Sequence, residues 1–517
     1  MKKSFCLFFL LLFFFSQAYA AKWQTLGTRA AGMGGAGVAV AAGTDAQYWN
    51  PANLAFMSDK HNNEIALSLN AEIEATGKTL SIIDELMKMS DKYDDLSYKI
   101  NNNLKATAED VSTIFEGFAL ISELLKLKTG ALIDLNASVS GKFKKLAVSF
   151  RTFGTSGVTP FVDSVNIGLG SSSGGIPLDN YTTPSGYEQY ADQIASAIDT
   201  AGVESSLKNI FGLTDSVTSS QIASALINMA LDVGASEDQI SKMTDVVVAE
   251  LPQASDIINA AGTISKSYDN NETQILIDAG VFAECAVGYG EEVFRGISVG
   301  TNLKIIQGHM AQTSIMILKE DEKIGNAIDE ALKNKKTTTS FAADIGANFD
   351  FSKFFEKKIL FNPKFGLIAK NINSPSFERP SKPQNAPAEL IWRENSYSLD
   401  RQVRAGIALN PVNNLIFACD IDVFSNKTMV EGFYSQELAM GLEYNILNKK
   451  HFNIPLRIGL TRNIAENDVW VYSAGFGILA GVVFIDLACA LSSQTTTIDG
   501  TTIPSSAEAA FTFGAKF

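Results

Sequence analysis

From about residue 270 onward, apolar and polar side chains alternate in segments of roughly ten residues, the period-2 signature of strands with two unlike faces. In 297–305 the apolar set is Ile297, Val299, Leu303 and Ile305, while Ser298, Gly300, Asn302 and Lys304 face the other way. Phe341, Ala343, Ile345, Ala347 and Phe349 oppose Ala342, Asp344, Gly346 and Asn348. Leu438, Met440, Leu442, Tyr444 and Ile446 oppose Glu437, Ala439, Gly441, Glu443 and Asn445. The pattern predicts further strands at 273–289, 358–371, 401–409, 414–423, 454–463, 469–479, 482–493 and 507–517, and earlier ones at 64–74, 131–140 and 146–154. The sum is about 14 antiparallel strands, each near the roughly 9–11 residues that cross a bilayer when tilted.

The connections alternate in length. Those after even strands are short, at Gly141-Lys142, Gly290, Pro411 to Asn413 and Ala480-Gly481. Those after odd strands are mostly long: 75–130, 155–272, 319–337, 372–400 and 494–506. Short periplasmic turns and long external loops are the rhythm of an outer-membrane barrel, and a soluble sandwich has no reason to produce it. The two largest insertions read as helix. Val111, Ile114, Phe115, Phe118, Ile121, Leu124 and Leu125 recur at three-and-four spacing, as do Ile194, Ala197, Ile198 and Ala201 more weakly, and Ser236 with Gln239 forms a capping-box pattern. The expected fold class is therefore an all-β transmembrane barrel with α-helical external insertions at 75–130 and 155–272.

Composition sharpens this. Of 517 residues 46% are hydrophobic and 19% charged, too apolar for disorder. After Phe15 no apolar run approaches the roughly 18 residues of a spanning helix. Residues 1–20 read as an export signal, with Lys2 and Lys3, an apolar stretch from Phe5 to Phe15, then Ala18-Tyr19-Ala20. Without them 40 basic side chains face 56 acidic ones, which argues against a nucleic-acid partner. Cys285, Cys419 and Cys489 form no CxxC and no disulfide framework. The polar strand faces carry Asp344, Lys364, Arg404, Asp420, Asp422, Glu443, Arg457 and Asp486, more charge than a soluble core could bury and expected to line a hydrated or plugged lumen.

Three motifs have plainer readings. Gly32-Met33-Gly34-Gly35-Ala36-Gly37 matches GxGxxG, but no strand precedes it, so its glycines are better suited to tight backbone packing inside a barrel. Gly170-Ser171-Ser172-Ser173-Gly174 matches a nucleophile elbow, yet it sits in the Ser/Gly loop 168–175, and His61, His309 and His451 are not placed to serve as its base. Asp420-Ile421-Asp422 is explained by alternation as two inward carboxylates. No enzyme, cofactor or metal site is expected.

The segment from Arg29 to Val40, followed by Tyr48-Trp49-Asn50-Pro51-Ala52-Asn53-Leu54-Ala55, resembles the N-terminus of an outer-membrane barrel superfamily that includes FadL-type long-chain fatty acid transporters, PorV-like proteins and conjugal-transfer TraF-like proteins. Gly366-Leu367-Ile368-Ala369-Lys370-Asn371 and Val403-Arg404-Ala405-Gly406-Ile407 look most like the TraF-like branch. The resemblance implies an N-terminal hatch over 21–60, with Gly34, Gly35, Gly37, Asn50, Pro51 and Ala52 as gating residues, inside a barrel over 61–517. It implies outer-membrane lipid and the barrel-assembly machinery of a Gram-negative bacterium as partners. It leaves two functions: passive uptake of a hydrophobic compound, or a non-transporting structural or docking part of a conjugation or secretion system. An apolar groove in the 155–272 insertion leading to a gap in the wall would favour uptake, and a flat polar cap would favour docking. The ending Phe511-Thr512-Phe513-Gly514-Ala515-Lys516-Phe517 resembles the insertion signal of bacterial barrels. Deleting Phe517 is expected to lower the amount of protein recovered in outer-membrane fractions without changing its synthesis. Undiminished recovery would refute the role of that terminal aromatic.

Overall fold

The computed structural model describes residues 20–56, 62–101, 107–126, 128–163, 178, 180–262, 272–316, 324–357, 359–381, 396–466, 469–498 and 501–517. The signal up to Tyr19, the 168–175 loop with its Gly170–Gly174 motif, and His61 lie outside the described residues. Fourteen strands form the wall: β1 (Asn63–Thr76), β2 (Gly130–Phe143), β3 (Leu146–Phe161), β4 (Gln274–Phe294), β5 (Ile297–Met316), β6 (Lys336–Asp350) and β7 (Lys364–Lys370). They continue with β8 (Gln402–Val412), β9 (Leu415–Asp422), β10 (Glu437–Asn448), β11 (Phe452–Asn463), β12 (Trp470–Ala480), β13 (Val483–Ser492) and β14 (Ser506–Lys516). Each pairs antiparallel with its sequence neighbours, and β14 returns to β1 with Ile65 opposite Ala515, which closes the barrel. Closure leaves no sheet edge, the only arrangement in which every strand N–H and C=O is paired inside hydrocarbon.

Alternation sorts the side chains. Ile65, Leu67, Leu69, Leu135, Val139, Leu303, Phe341, Ile458 and Leu487 are exposed on the outer face, while Ser68, Asn70, Asn302, Asp344, Asp420 and Glu443 are buried within. Leu303 is 67% and Phe341 70% exposed, a cost that only an apolar surrounding removes.

Some expected boundaries shift. Gly141, Lys142 and Gly290 lie within strands, and the first two short turns are at 144–145 and 295–296. Of the strand expected at 358–371 only Lys364–Lys370 forms. A one-turn helix, Phe351–Phe354, capped by the Asp350 carboxylate on Lys353 N at 3.0 Å, precedes it, and Phe361 and Asn362 take positive φ, which breaks the strand despite its apolar spacing. Strands β3 to β5 run well past their expected ends, so the wall is taller on that side.

The long connections share one end. Helices Ala108–Leu125, Glu188–Ala201, Glu204–Phe211, Ser219–Asp232 and Glu237–Gly262 pack around one core that includes Val111, Phe115, Ile194, Ile222 and Val247, and helix Thr79–Asn101 lies against Ala108–Leu125. Capping boxes start two of them, at Thr107 with Asp110 and Thr218 with Gln221. Ser236 and Gln239 exchange bonds of 2.9 and 3.4 Å in the same way. The ends of the larger insertion meet, since Glu272 N donates to Asp163 Oδ2 at 3.0 Å. A cysteine at Asn334 is expected to react with an impermeant maleimide on intact cells, and cysteines at Lys144 and Asn413 only after lysis. The opposite labelling would invert the orientation.

Candidate functional site

Residues 22–56 lie inside the barrel as an inner segment in which nearly every backbone turn has a wall partner. Its first helix, Thr28–Gly32, ends where Gly34 and Gly35 take φ of 66° and 86°, values that favour glycine. Gly34 N donates to Ser473 Oγ at 2.9 Å, its carbonyl accepts from Thr461 Oγ1, and the Gly35 carbonyl accepts from Arg404 Nη1 at 3.4 Å. Gly37 N and Val38 N both donate to Asp420 Oδ2, at 2.6 and 2.8 Å. A Cβ on Gly37 would lie 2.5 Å from the Trp49 ring.

Asn50 ends the helix Asp45–Trp49 and caps the 3-10 turn Pro51–Ala55, with Pro51 at the first position, where its missing N–H costs nothing. Its Oδ1 accepts from Ala52 N at 3.1 Å, and its Nδ2 donates to the Val38 carbonyl at 3.2 Å and to the Ala347 carbonyl of the wall at 3.0 Å. Asn348 Nδ2 reaches Asn53 Oδ1 at 2.7 Å. Asn50 and Ala52 are fully buried.

The wall receives this segment on a track of glycines that periodicity alone did not single out. Gly290, Gly300 and Gly346 face one another across β4, β5 and β6. An added Cβ on them would meet Pro51 O at 2.5 Å, Pro51 C at 2.2 Å and Asn50 Oδ1 at 2.1 Å. Gly366 and Gly406, paired across β7 and β8, seat Val38, while Gly441 and Gly459, paired across β10 and β11, seat Met33 and Gly34. The available signal was a glycine recurring in the inward phase of successive strands.

The charged residues are cross-linked, not left facing open water. Glu443 accepts from Arg29 Nε at 2.9 Å and Arg457 Nε at 2.8 Å, and Arg457 Nη1 also reaches Asp486 at 3.0 Å. Arg404 holds Asp422 at 2.5 Å and Glu437 at 2.7 Å beneath the Trp23 ring, 4.6 Å away. Asp344 pairs with Lys304 at 2.7 Å. Lys364 stands apart at the short-turn end, half-exposed, 3.7 Å from Asp350 and 4.9 Å from the Phe56 ring. Lys22, which alternation could not flag because it lies outside any strand, meets Glu72 at 2.7 Å, Glu74 at 2.9 Å and Asp134 at 3.6 Å. Burial works against its ammonium, but those three carboxylates and Glu437 outweigh it and hold its pKa well above the usual lysine value.

Above the inner segment is a cavity of about 60 Å³. Tyr48, Arg151, Glu284, Lys304 and Lys370 form its floor, with Lys370 Nζ 3.1 Å from the Tyr48 ring centre and 3.7 Å from that of Trp23. Its roof is apolar. Phe377, Tyr397 and Leu399 from the connection after β7, and Met429, Val430 and Phe433 from that after β9, pack on Leu132, Phe282, Ile306 and Met310 of the wall. Two dissimilar seals thus block the lumen, one hydrogen-bonded and one apolar.

A closed wall with an apolar exterior and a charged, filled interior defines an outer-membrane β-barrel. The chain belongs to the family described as the F plasmid transfer operon TraF protein, whose model matches residues 47–422. No curated protein matches it. Among solved structures it is similar to the Ralstonia pickettii toluene transporter TbuX, at 10% identity over 95% of this chain and 98% of that one, with a TM-score of 0.41. It is also similar to the Pseudomonas putida toluene transporter TodX (10% identity, 95% and 98% covered, TM-score 0.39) and to a Pseudomonas aeruginosa FadL homologue (9%, 97% and 99%, 0.38).

Gly300→Val is expected to unseat the Pro51 corner and cost about 1–3 kcal/mol by overpacking, and Asn50→Ala a similar amount by stranding buried carbonyls. Both should lower the temperature at which the purified barrel loses its heat-modifiable gel mobility. Wild-type melting in both variants would show that this contact does not hold the inner segment.

Proposed function

We propose that the chain is a closed outer-membrane platform whose external helical domain docks a component of a transfer or secretion apparatus. The observation that carries this is a wall whose described strands pair all the way round, beneath an acidic helical domain. Pairing is continuous from β2 through β3 to β4, and above the short β7 the connection seals the wall, Ile372 N bonding the Ala343 carbonyl at 2.9 Å and Asn373 Nδ2 the Phe341 carbonyl at 2.7 Å. The helices from Ala108 to Gly262 spend most of their described apolar side chains on one shared core. Residues 155–272 carry 15 acidic side chains against 3 basic ones, nearly the whole negative balance of the chain. An acidic surface outside the membrane suits a basic protein partner. Membership of a family described by a plasmid transfer operon agrees with that role.

A second reading is gated uptake of a hydrophobic compound. It rests on the apolar roof above the cavity, which a nonpolar molecule could part, and on Asn50-Pro51-Ala52 with Gly34, Gly35 and Gly37 as a hatch that shifts below. Toluene transport by the proteins named above belongs to them, and likeness at that level adds nothing to the choice.

The two readings separate on one variant. Because Thr76 pairs with Gly130, and Asp163 bonds Glu272, both helical insertions can be excised at 78–128 and 164–271 and the ends rejoined by short linkers. The docking reading expects the excised barrel to insert with normal heat-modifiable mobility while conjugation or secretion by its host collapses. Full activity would overturn it. The uptake reading expects hydrophobic-compound uptake to persist after excision and to rise in Asn50→Ala, and no uptake in either variant removes it.

A further inference from the structure

At the short-turn end, where β1, β2 and β14 close the barrel, a cavity of about 200 Å³ opens beside the inner segment. Lys142, Lys449, Lys450 and Lys516 line it, and Glu64 is the one carboxylate among its lining residues. In register Glu64 stands opposite both Lys142 and Lys516. Its carboxylate, however, is turned to the inner segment, where it accepts from Thr44 N at 3.2 Å and Thr44 Oγ1 at 3.0 Å and packs over Gly43. Lys516 keeps a hold on it at 3.5 Å. Lys142 does not share in this. It is only 3% exposed, and its ammonium has one described partner, the Asn62 carbonyl at 3.4 Å.

A buried ammonium with a single long bond to a neutral carbonyl is a poor final state, because its desolvation is opposed only by that bond and by the charge of Glu64, which is itself bonded elsewhere. With Lys449, Lys450 and Lys516, four ammonium groups line this space against the single lining carboxylate of Glu64, in a chain that is acidic overall. We propose that this cavity binds an oxyanion of the phosphate class, which accepts from Lys142 and Lys516 on the closing seam and from the Lys449-Lys450 turn. Lysine ammoniums converging from separate strands suit an acceptor with several oxygens better than a halide. Ala42, Gly43 and Phe56 line the same space, so the bound anion also ties the inner segment to the wall. The phosphate group can be free in the periplasm or the head of an anionic phospholipid in the inner leaflet, and the ligand chemistry is shared.

The test uses the full chain in detergent, titrated with sodium phosphate against sodium chloride at matched ionic strength, with loss of heat-modifiable mobility as the readout. Phosphate should raise the melting temperature saturably, on the order of 5 °C. Lys142→Met, which keeps the apolar stem, should abolish that rise. Should that variant fail to fold, the exposed pair Lys449→Gln with Lys450→Gln should raise the half-saturating phosphate concentration by about fivefold. An equal response to chloride, no response in the wild type, or an unaltered response in the variants overturns the proposal. In nanodiscs, a rise with phosphatidylglycerol over phosphatidylcholine that removes the phosphate response assigns the lipid head, and equal phosphate responses in both assign the free ion.

Discussion

Hydrocarbon neither donates nor accepts a hydrogen bond, and the architecture follows from that prohibition. It forces the sheet to close on itself and drives most polar strand residues to the interior. It then creates a second problem, because an interior lined by Asp344, Asp420, Glu443 and their neighbours must itself be satisfied. The inner segment solves much of it. Asp420 accepts two backbone N–H groups from Gly37 and Val38, and Arg29 completes the Glu443 pairing begun by Arg457. Wall and inner segment are thus each other's missing solvent.

The lumen's two seals obey different physics. The lower one is directional: Asn50 fits because three polar atoms line up, and the opposing glycines admit the backbone at one place only. The upper one is a pool of aromatic and aliphatic side chains, whose attraction depends on area rather than angle. A packing of that kind can be rearranged by small shifts at little cost, whereas the lower contacts are either made or lost.

What was legible in the sequence was local. Period-2 alternation and connection length are properties of neighbouring residues, and they located all fourteen strands and the end that bears the helices. The strand drawn over 358–371 starts only at Lys364 because apolar spacing says nothing about backbone handedness, and Phe361 and Asn362 are held with positive φ. The glycine track escaped because its members are far apart in sequence and become neighbours only through register. Met429, Val430 and Phe433 gave no warning, since a loop that folds back into a lumen has no period. The ion pairs of Lys22 also depend on where a coil lies inside a closed wall, which no residue-to-residue rule supplies.

The inner segment comes at the start of the chain, yet its partners are near the end. Thr28 bonds Thr512 across 484 residues, and Gly34 bonds Ser473 across 439. Until β8 and the strands after it exist, this stretch has little to hold it: Gly35 waits on Arg404, Gly37 and Val38 on Asp420, Arg29 on Glu443, and the last bonds come only with β12 and β14. Its ordering therefore marks time in assembly: protection of residues 28–37 from protease is complete only when the last strand has arrived, and a barrel arrested before its final strands would leave its own beginning exposed to be cut.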